Sequence, residues 1–234
     1  MSQLSTMMRW EFILEYRYKL IHLSIASVVI YLIAIQAIPT IDTDFFQSTF
    51  LFFDPVLIGI MFVGALVLFE KNENTLQALT ITPMETRNYF LSKIITLTAL
   101  SIVTGMIFII FKNGLFNVNY FYFFSGIILS SVFLILLGFL MVSRCNSINE
   151  YLIMIMFAFL LLFIPPMLHF SGLYESQIFY LWPSHASFIL FGGVFEEVAL
   201  NDAIYSIAYL LFWIILCFYL SKKAYLKHIV QGGK

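Results

Sequence analysis

Apolar residues in this chain fall in long unbroken runs instead of the alternation expected of half-buried strands or soluble helices. The runs at 20–38, 94–111, 120–142, 152–165 and 203–220 carry no interior charge. A helix rising ~1.5 Å per residue needs ~20 such residues to cross the hydrocarbon layer, and these reach or approach that length. A sixth run, around 50–69, is interrupted only by Asp54-Pro55. Open strands would leave backbone groups unpaired in lipid, so the runs are predicted helices. The predicted fold class is all-α integral membrane, one domain over residues 1–234, with transmembrane helices at 20–38, 48–69, 83–111, 120–142, 148–165 and 203–220.

The polar stretches between the runs supply the remaining elements. Residues 1–19 mix charge with aromatics: Glu11, Glu15 and Lys19 fall on one helical line and Trp10, Leu14 and Tyr18 on the adjacent face. This reads as an amphipathic helix in the membrane interface, with a plain lead-in as the alternative. Asp54 has two readings: an N-cap ahead of Pro55, or an acid inside a longer helix kinked at Pro55 and lying on an outer pathway. Segment 70–82 contains a short turn in which Leu76 and Leu79 share a face, which requires a hydrophobic partner. Thr82-Pro83-Met84-Glu85 is a capping box that starts the third span. That span is longer than the bilayer requires, so its first turns, with Arg87 and Lys93, are expected to project from it. Lys112-Asn113-Gly114 is turn-like, and Ser147 with Glu150 caps the fifth span, which is expected to end at Pro165-Pro166. Residues 166–200 are apolar but broken by Gly172, Pro183 and Gly192-Gly193, which fits re-entrant or interfacial helices. Asn201-Asp202 is expected to cap the last span, and a tail follows at 221–234.

Charge orients this arrangement. With the N-terminus in the cytoplasm and sides alternating, inner segments hold eleven of the twelve Lys and Arg residues and outer segments only Lys112. That positive-inside bias places both termini in the cytoplasm. The first run is too long for a signal-peptide h-region and lacks a small-residue cleavage site, so it is expected to be retained. Cys145 and Cys217 fall in an inner loop and a span, so free thiols are expected.

No G-x-x-x-x-G-K-[ST] sequence is present, so ATP hydrolysis by that chemistry is not expected of this chain. The span interiors are also read as lacking carboxylates and paired charges, which argues against proton or sodium coupling. Energy would then have to enter through the cytoplasmic face. The stretch Glu70 to Met84 (EKNENTLQALTITPM) resembles the coupling segment of ABC-2 type permeases. It is especially similar to the small permeases of the fluoroquinolone-export kind, which have an acid ending span two, a Gly-Thr-Leu-x-x-Leu stretch and Thr-Pro opening span three. Glu70, Thr75, Leu76, Leu79, Thr82 and Pro83 keep that pattern. Asn74 stands in place of the glycine and tolerates the same left-handed turn. Phe53-Asp54-Pro55 matches as well.

The resemblance implies a transport subunit, not an enzyme, for the cell membrane. Two copies, or one with a sister permease, would pair and dock two separate ABC ATPase subunits, which would bind ATP and Mg. The docking surface would comprise Glu70, Glu73, Asn74, Thr75, Leu76, Gln77, Leu79, Thr82 and Pro83, with Leu76 and Leu79 in a cleft of the ATPase and Glu70, Glu73 and Gln77 on its rim. Spans two and five would line the route, with Leu161, Leu162 and Phe163 in the position of a hydrophobic plug. The cargo would be a drug, lipid or amphipathic peptide. No cofactor, metal or nucleic-acid partner is expected of the chain itself.

Two other functional classes compete with this one. Glu196-Glu197 with His169 and His185 loosely resembles the motifs of CAAX-type intramembrane proteases, but the arginine after the pair is missing and the histidines precede it. Solvated acids and hydrogen-bonded interfacial histidines are the expectation there. A non-transporting scaffold or immunity protein is the third class.

Overall fold

The computed structural model describes residues 3–37, 44–73, 75, 86–114, 117–172 and 176–227. Among these there is no strand. The elements are α1 (Gln3–Arg17), α2 (Leu20–Ala37), α3 (Asp44–Asn72), α4 (Thr86–Asn113), α5 (Tyr120–Val142), α6 (Ile148–Phe170), a 3₁₀ turn (Gln177–Leu181), α7 (Pro183–Gly192) and α8 (Leu200–Tyr225). Six of them, α2 to α6 and α8, are long and apolar enough to cross a membrane. The long helices alternate in direction. One end of the bundle gathers Arg17, Lys71, Arg87, Arg144 and Lys222, and the other gathers Asp44, Glu196, Glu197 and Asp202. We call these the basic and the acidic end.

The core is built around α3 and α5. Within the most apolar stretch of α3, 78% of residues are buried inside the subunit, against 22% in each of α2, α6 and α8, whose outer faces are free to meet lipid. α5 packs against α3, α4, α7 and α8. Close approach of α3 and α5 is set by small residues. A Cβ on Gly138 would lie 2.4 Å from Val63 Cγ1, and one on Gly59 2.9 Å from Leu134 Cβ. Lipid offers no hydrophobic drive to press helices together, so van der Waals contact of this kind is what holds them.

Three helix boundaries differ from the sequence reading. α3 is already helical at Asp44, so Asp54 is not an N-cap but an interior residue only 4% exposed. Pro55 follows inside the same helix. Lacking an N–H, it cannot bond the Leu51 carbonyl, and the ladder widens directly afterwards into a π-helical turn over Leu57–Phe62. Tyr151 of α6 reaches this turn and donates its hydroxyl to the Ile60 carbonyl at 2.5 Å.

The second difference is that α6 does not stop at Pro165-Pro166 but continues to Phe170 with both prolines inside it. Pro165 leaves the Leu161 carbonyl without its normal N–H partner. The indole of Trp182, at the end of the 3₁₀ turn, donates to that carbonyl at 2.7 Å. The freed acceptor is therefore satisfied from outside the helix, as the membrane interior demands. Thirdly, α8 starts at Leu200 with Ala199 as its N-cap and no side-chain cap. Asp202 sits in the first turn instead, where the helix dipole favours a negative group.

Other expectations hold. Ser147 accepts from the Glu150 N–H at 3.2 Å and caps α6, although the Glu150 carboxylate reaches the Asn146 N–H, one residue before the reciprocal position. Gly114 takes φ +74° in the α4–α5 turn, a region closed to most side chains. α7, ten residues long and too short to cross, lies buried beside α3, α5, α6 and α8. Cys145 and Cys217 are free and buried. The predicted start of the third span at Pro83 lies outside the described residues.

The crossing of α3 and α6 yields a direct test. A Cβ on Gly64 would stand 1.9 Å from the Tyr151 ring. Gly64→Ala should push that ring away, break its bond to Ile60 and destabilise the subunit by about 1–3 kcal/mol, read as a lowered unfolding midpoint in detergent.

Candidate functional site

The basic end is organised by one buried cation. Lys93 lies on α4 one helical turn after Tyr89, so both project from the same face. Lys93 has no exposed surface. Its Nζ donates to Glu11 Oε2 of α1 at 2.7 Å and to Glu70 Oε1, in the last turns of α3, at 2.5 Å. The Tyr89 hydroxyl donates to the second Glu70 oxygen at 2.6 Å, and the ammonium lies 5.1 Å from the Tyr89 ring centroid. Both oxygens of Glu70 are thus engaged, and three helices converge on one charge.

α1 is oriented by this cluster. Glu11 and Glu15, four apart, point into the bundle at 4% and 1% exposure, while Trp10, Phe12 and Tyr16 face outward. The helix is amphipathic, but with its acidic face inside and its aromatic face out. Lys19 does not pair with Glu15: it occupies the turn after α1 at φ +59°, where the chain redirects into α2. Burial raises the carboxyl of Glu15 to about 7, opposed by a hydrogen bond with Thr96. Burial likewise raises Glu11, with Lys93 pulling the other way. The set holds three carboxyl groups (Glu11, Glu15, Glu70) and one ammonium, an excess of acid consistent with a proton kept on Glu15.

Further bonds fix the point where the chain leaves α3. Tyr18 donates to Glu73 Oε1 at 2.8 Å and packs at a tilt against Phe69. Lys71 donates to Asn146 Oδ1 and to the Cys145 carbonyl in the α5–α6 turn. Thr75 donates to the Glu70 carbonyl at 2.8 Å. Of the sequence-derived docking residues, Glu70 is enclosed by the subunit, whereas Glu73 and Thr75 are exposed. Asn74, Leu76, Gln77, Leu79, Thr82 and Pro83 lie outside the described residues.

The expectation that the spans lack carboxylates and paired charges is overturned. The Glu70–Lys93 pair joins two spans, and Asp54 is buried in α3, accepting a hydrogen bond from Thr104 of α4 at 2.5 Å. Asp54 Oδ1 has no partner. Each of these charges is held by a partner on another helix, which its own apolar run does not reveal. Two acids four apart on the N-terminal helix, Glu11 and Glu15, were the signal for an inward acidic face. Of the plug residues, Leu162 is buried and Phe163 packs among Phe52, Phe53, Phe159 and Phe188, while Leu161 faces outward.

His169, His185, Glu196 and Glu197 do come together, lining one cavity at the acidic end. Neither ring nitrogen of His185 has a hydrogen-bond partner, contrary to expectation. Among the described residues no three His, Cys, Asp or Glu side chains are grouped to hold a metal ion.

Comparison with known proteins adds to this geometry. The sequence profile of the fluoroquinolones export permease protein family matches residues 2–233. Two curated proteins of Mycobacterium tuberculosis, from strains CDC 1551 / Oshkosh and ATCC 25618 / H37Rv, are each named a fluoroquinolones export permease protein. Each is 28% identical over 217 residues, covering 93% of this chain and 90% of the relative.

Two outcomes follow from the charge cluster. Lys93→Met leaves Glu11 and Glu70 buried without their cation and should cost about 3–5 kcal/mol of stability; adding Glu11→Gln and Glu70→Gln should recover most of it, as a four-way unfolding comparison would measure. Between the usual carboxylate range and about 7 the folded chain holds a proton on Glu15 that the unfolded chain has lost. Stability should therefore fall as pH rises through that window, and Glu15→Gln should flatten the fall in melts recorded from pH 4.5 to 7.5.

Proposed function

Since this chain belongs to the fluoroquinolones export permease protein family and is a multi-pass membrane protein, we propose that it moves its cargo only when a separate ABC ATPase grips the 70–83 segment at its basic end. On this reading the basic end and both termini face the cytoplasm of a cell-membrane protein, in keeping with its excess of Lys and Arg. Two permeases pair, each bearing one ATPase, which supplies the ATP and Mg chemistry. Leu76 and Leu79 enter the ATPase cleft, and Glu73 and Gln77 meet its rim. The cargo is a drug-sized amphipathic molecule of the fluoroquinolone type for which the relatives are named.

The observation that carries this reading is the placement of Lys93 between Glu70 and Glu11. The docking segment joins the last turn of α3 to the start of α4, and Lys93 ties those two helices and α1 together. A push on the segment is therefore delivered to three helices as one body, the kind of rigid-body shift that alternating transport requires. Glu70 is assigned here to the root of the segment, not to the ATPase contact, because both its oxygens are already used inside the subunit.

Co-purification tests the reading. Leu76→Asp with Leu79→Asp should abolish recovery of the ATPase subunit with the permease and any stimulation of its hydrolysis, while leaving the thermal melt of the permease unchanged. Recovery equal to that of the unaltered chain would overturn it.

A further inference from the structure

A cavity of about 310 Å³ opens at the acidic end between α3, the end of α6, α7 and the start of α8. That is at the small end of the ~300–1,000 Å³ range of ligand pockets and far larger than one water needs. His185, in the first turn of α7, lines it with no exposed surface. Neither of its ring nitrogens has a hydrogen-bond partner, and Nδ1 of His169, whose ring lies 4.7 Å away, has none either. A buried imidazole ordinarily finds partners for its one donor and one acceptor, because leaving them unmet costs free energy. Burial, with His169 beside it, lowers the His185 imidazole to about 4. Near neutral pH it is an uncharged ring with a free lone pair.

The rest of the cavity has one sign of charge and one kind of wall. Asp44, Glu196, Glu197 and Asp202 line it, and no lysine or arginine does among the described residues. Phe45, Phe170, Tyr180 and Phe188 form its apolar faces. Acidic groups gather cations, aromatic faces hold both a cation and an apolar body, and a free imidazole lone pair accepts an N–H. A small inorganic ion is a poor fit, since no metal-holding group is formed here among the described residues.

We propose that this cavity binds an organic monocation: a protonated amine on an aromatic or aliphatic body, its ammonium N–H donated to a ring nitrogen of His185 and its charge balanced by Glu196 and Glu197. The apolar body lies against Phe170 and Phe188. Tyr180 closes one side, held by the Tyr205 hydroxyl donating to its carbonyl. The site is separate from the docking segment, at the opposite end of the bundle, and its occupancy does not depend on an ATPase.

The test uses the full-length permease in lipid nanodiscs without ATPase, so its result is independent of the docking reading. The probe is 2-phenylethylamine at pH 7.5, where an alkylammonium of pKa about 10 stays charged, compared with the uncharged 2-phenylethanol. Calorimetry should give the amine a Kd at least tenfold below that of the alcohol. Glu196→Gln with Glu197→Gln, both at exposed positions, should raise the amine Kd at least tenfold with an unchanged melt. His185→Phe should also weaken binding; if that variant fails to fold, the exposed pair still decides. Equal affinity for amine and alcohol, no binding of the amine, or a double variant that binds it as tightly as the unaltered chain would each overturn the proposal.

Discussion

A lysine ammonium with no exposed surface, held by carboxylates from two other helices, is the constraint on which the basic end of this subunit depends. Removing a charge from water costs several kcal/mol, and only close, well-directed partners make the burial tolerable. Lys93 has those partners in Glu11 and Glu70, and Tyr89 takes up the remaining oxygen of Glu70. Because each member would be stranded without the others, α1, α3 and α4 cannot separate here without leaving an uncompensated charge. An apolar contact would hold the same helices together but allow them to slide. The ionic one fixes their register.

Span two is irregular in a way that complements this fixed end. Between the Lys93 cluster and the acidic end, α3 contains a buried acid, a proline and a π-helical turn in succession. Two of the three are met by a neighbour: Thr104 donates to Asp54, and Tyr151 to the Ile60 carbonyl within the π-helical turn. Gly64 lets α6 come close enough to place Tyr151 against that turn. A helix clamped at one end and locally loosened in the middle has a defined place at which to bend.

Much of the fold was legible in the sequence because lipid imposes a simple rule: long apolar runs must be helices. The six spans, the Ser147 cap, the Gly114 turn and the inability of the α7 region to cross all followed from run length and turn chemistry. What was not legible depended on partners distant in the chain. Asp54 was open to two readings, a cap or an acid inside a kinked helix, and only Thr104, fifty residues on, explains its place inside α3. Pro165-Pro166 read as a stop because nothing nearby in the sequence announced that Trp182 would serve the Leu161 carbonyl. The candidate site divided in the same way. The family resemblance of the 70–83 segment could be read from its local pattern, whereas the burial of Glu70 and the inward turn of the acidic face of α1 required knowing that Lys93 would sit between them. His169, His185, Glu196 and Glu197 were noticed as a group, but their convergence on one cavity is a property of how α6, α7 and the approach to α8 fold back on one another.

The indole of Trp182 has a consequence for movement at the acidic end. Its hydrogen bond joins the proline-weakened part of α6 to the turn that leads into α7 and therefore to the wall bearing His185. Were α6 to swing free, the Leu161 carbonyl would lose the indole that stands in for the N–H Pro165 lacks, so the low-energy displacement is one in which helix and wall travel as a hinge plate. The position of α6 and the shape of the acidic cavity are thereby geared to each other by one N–H.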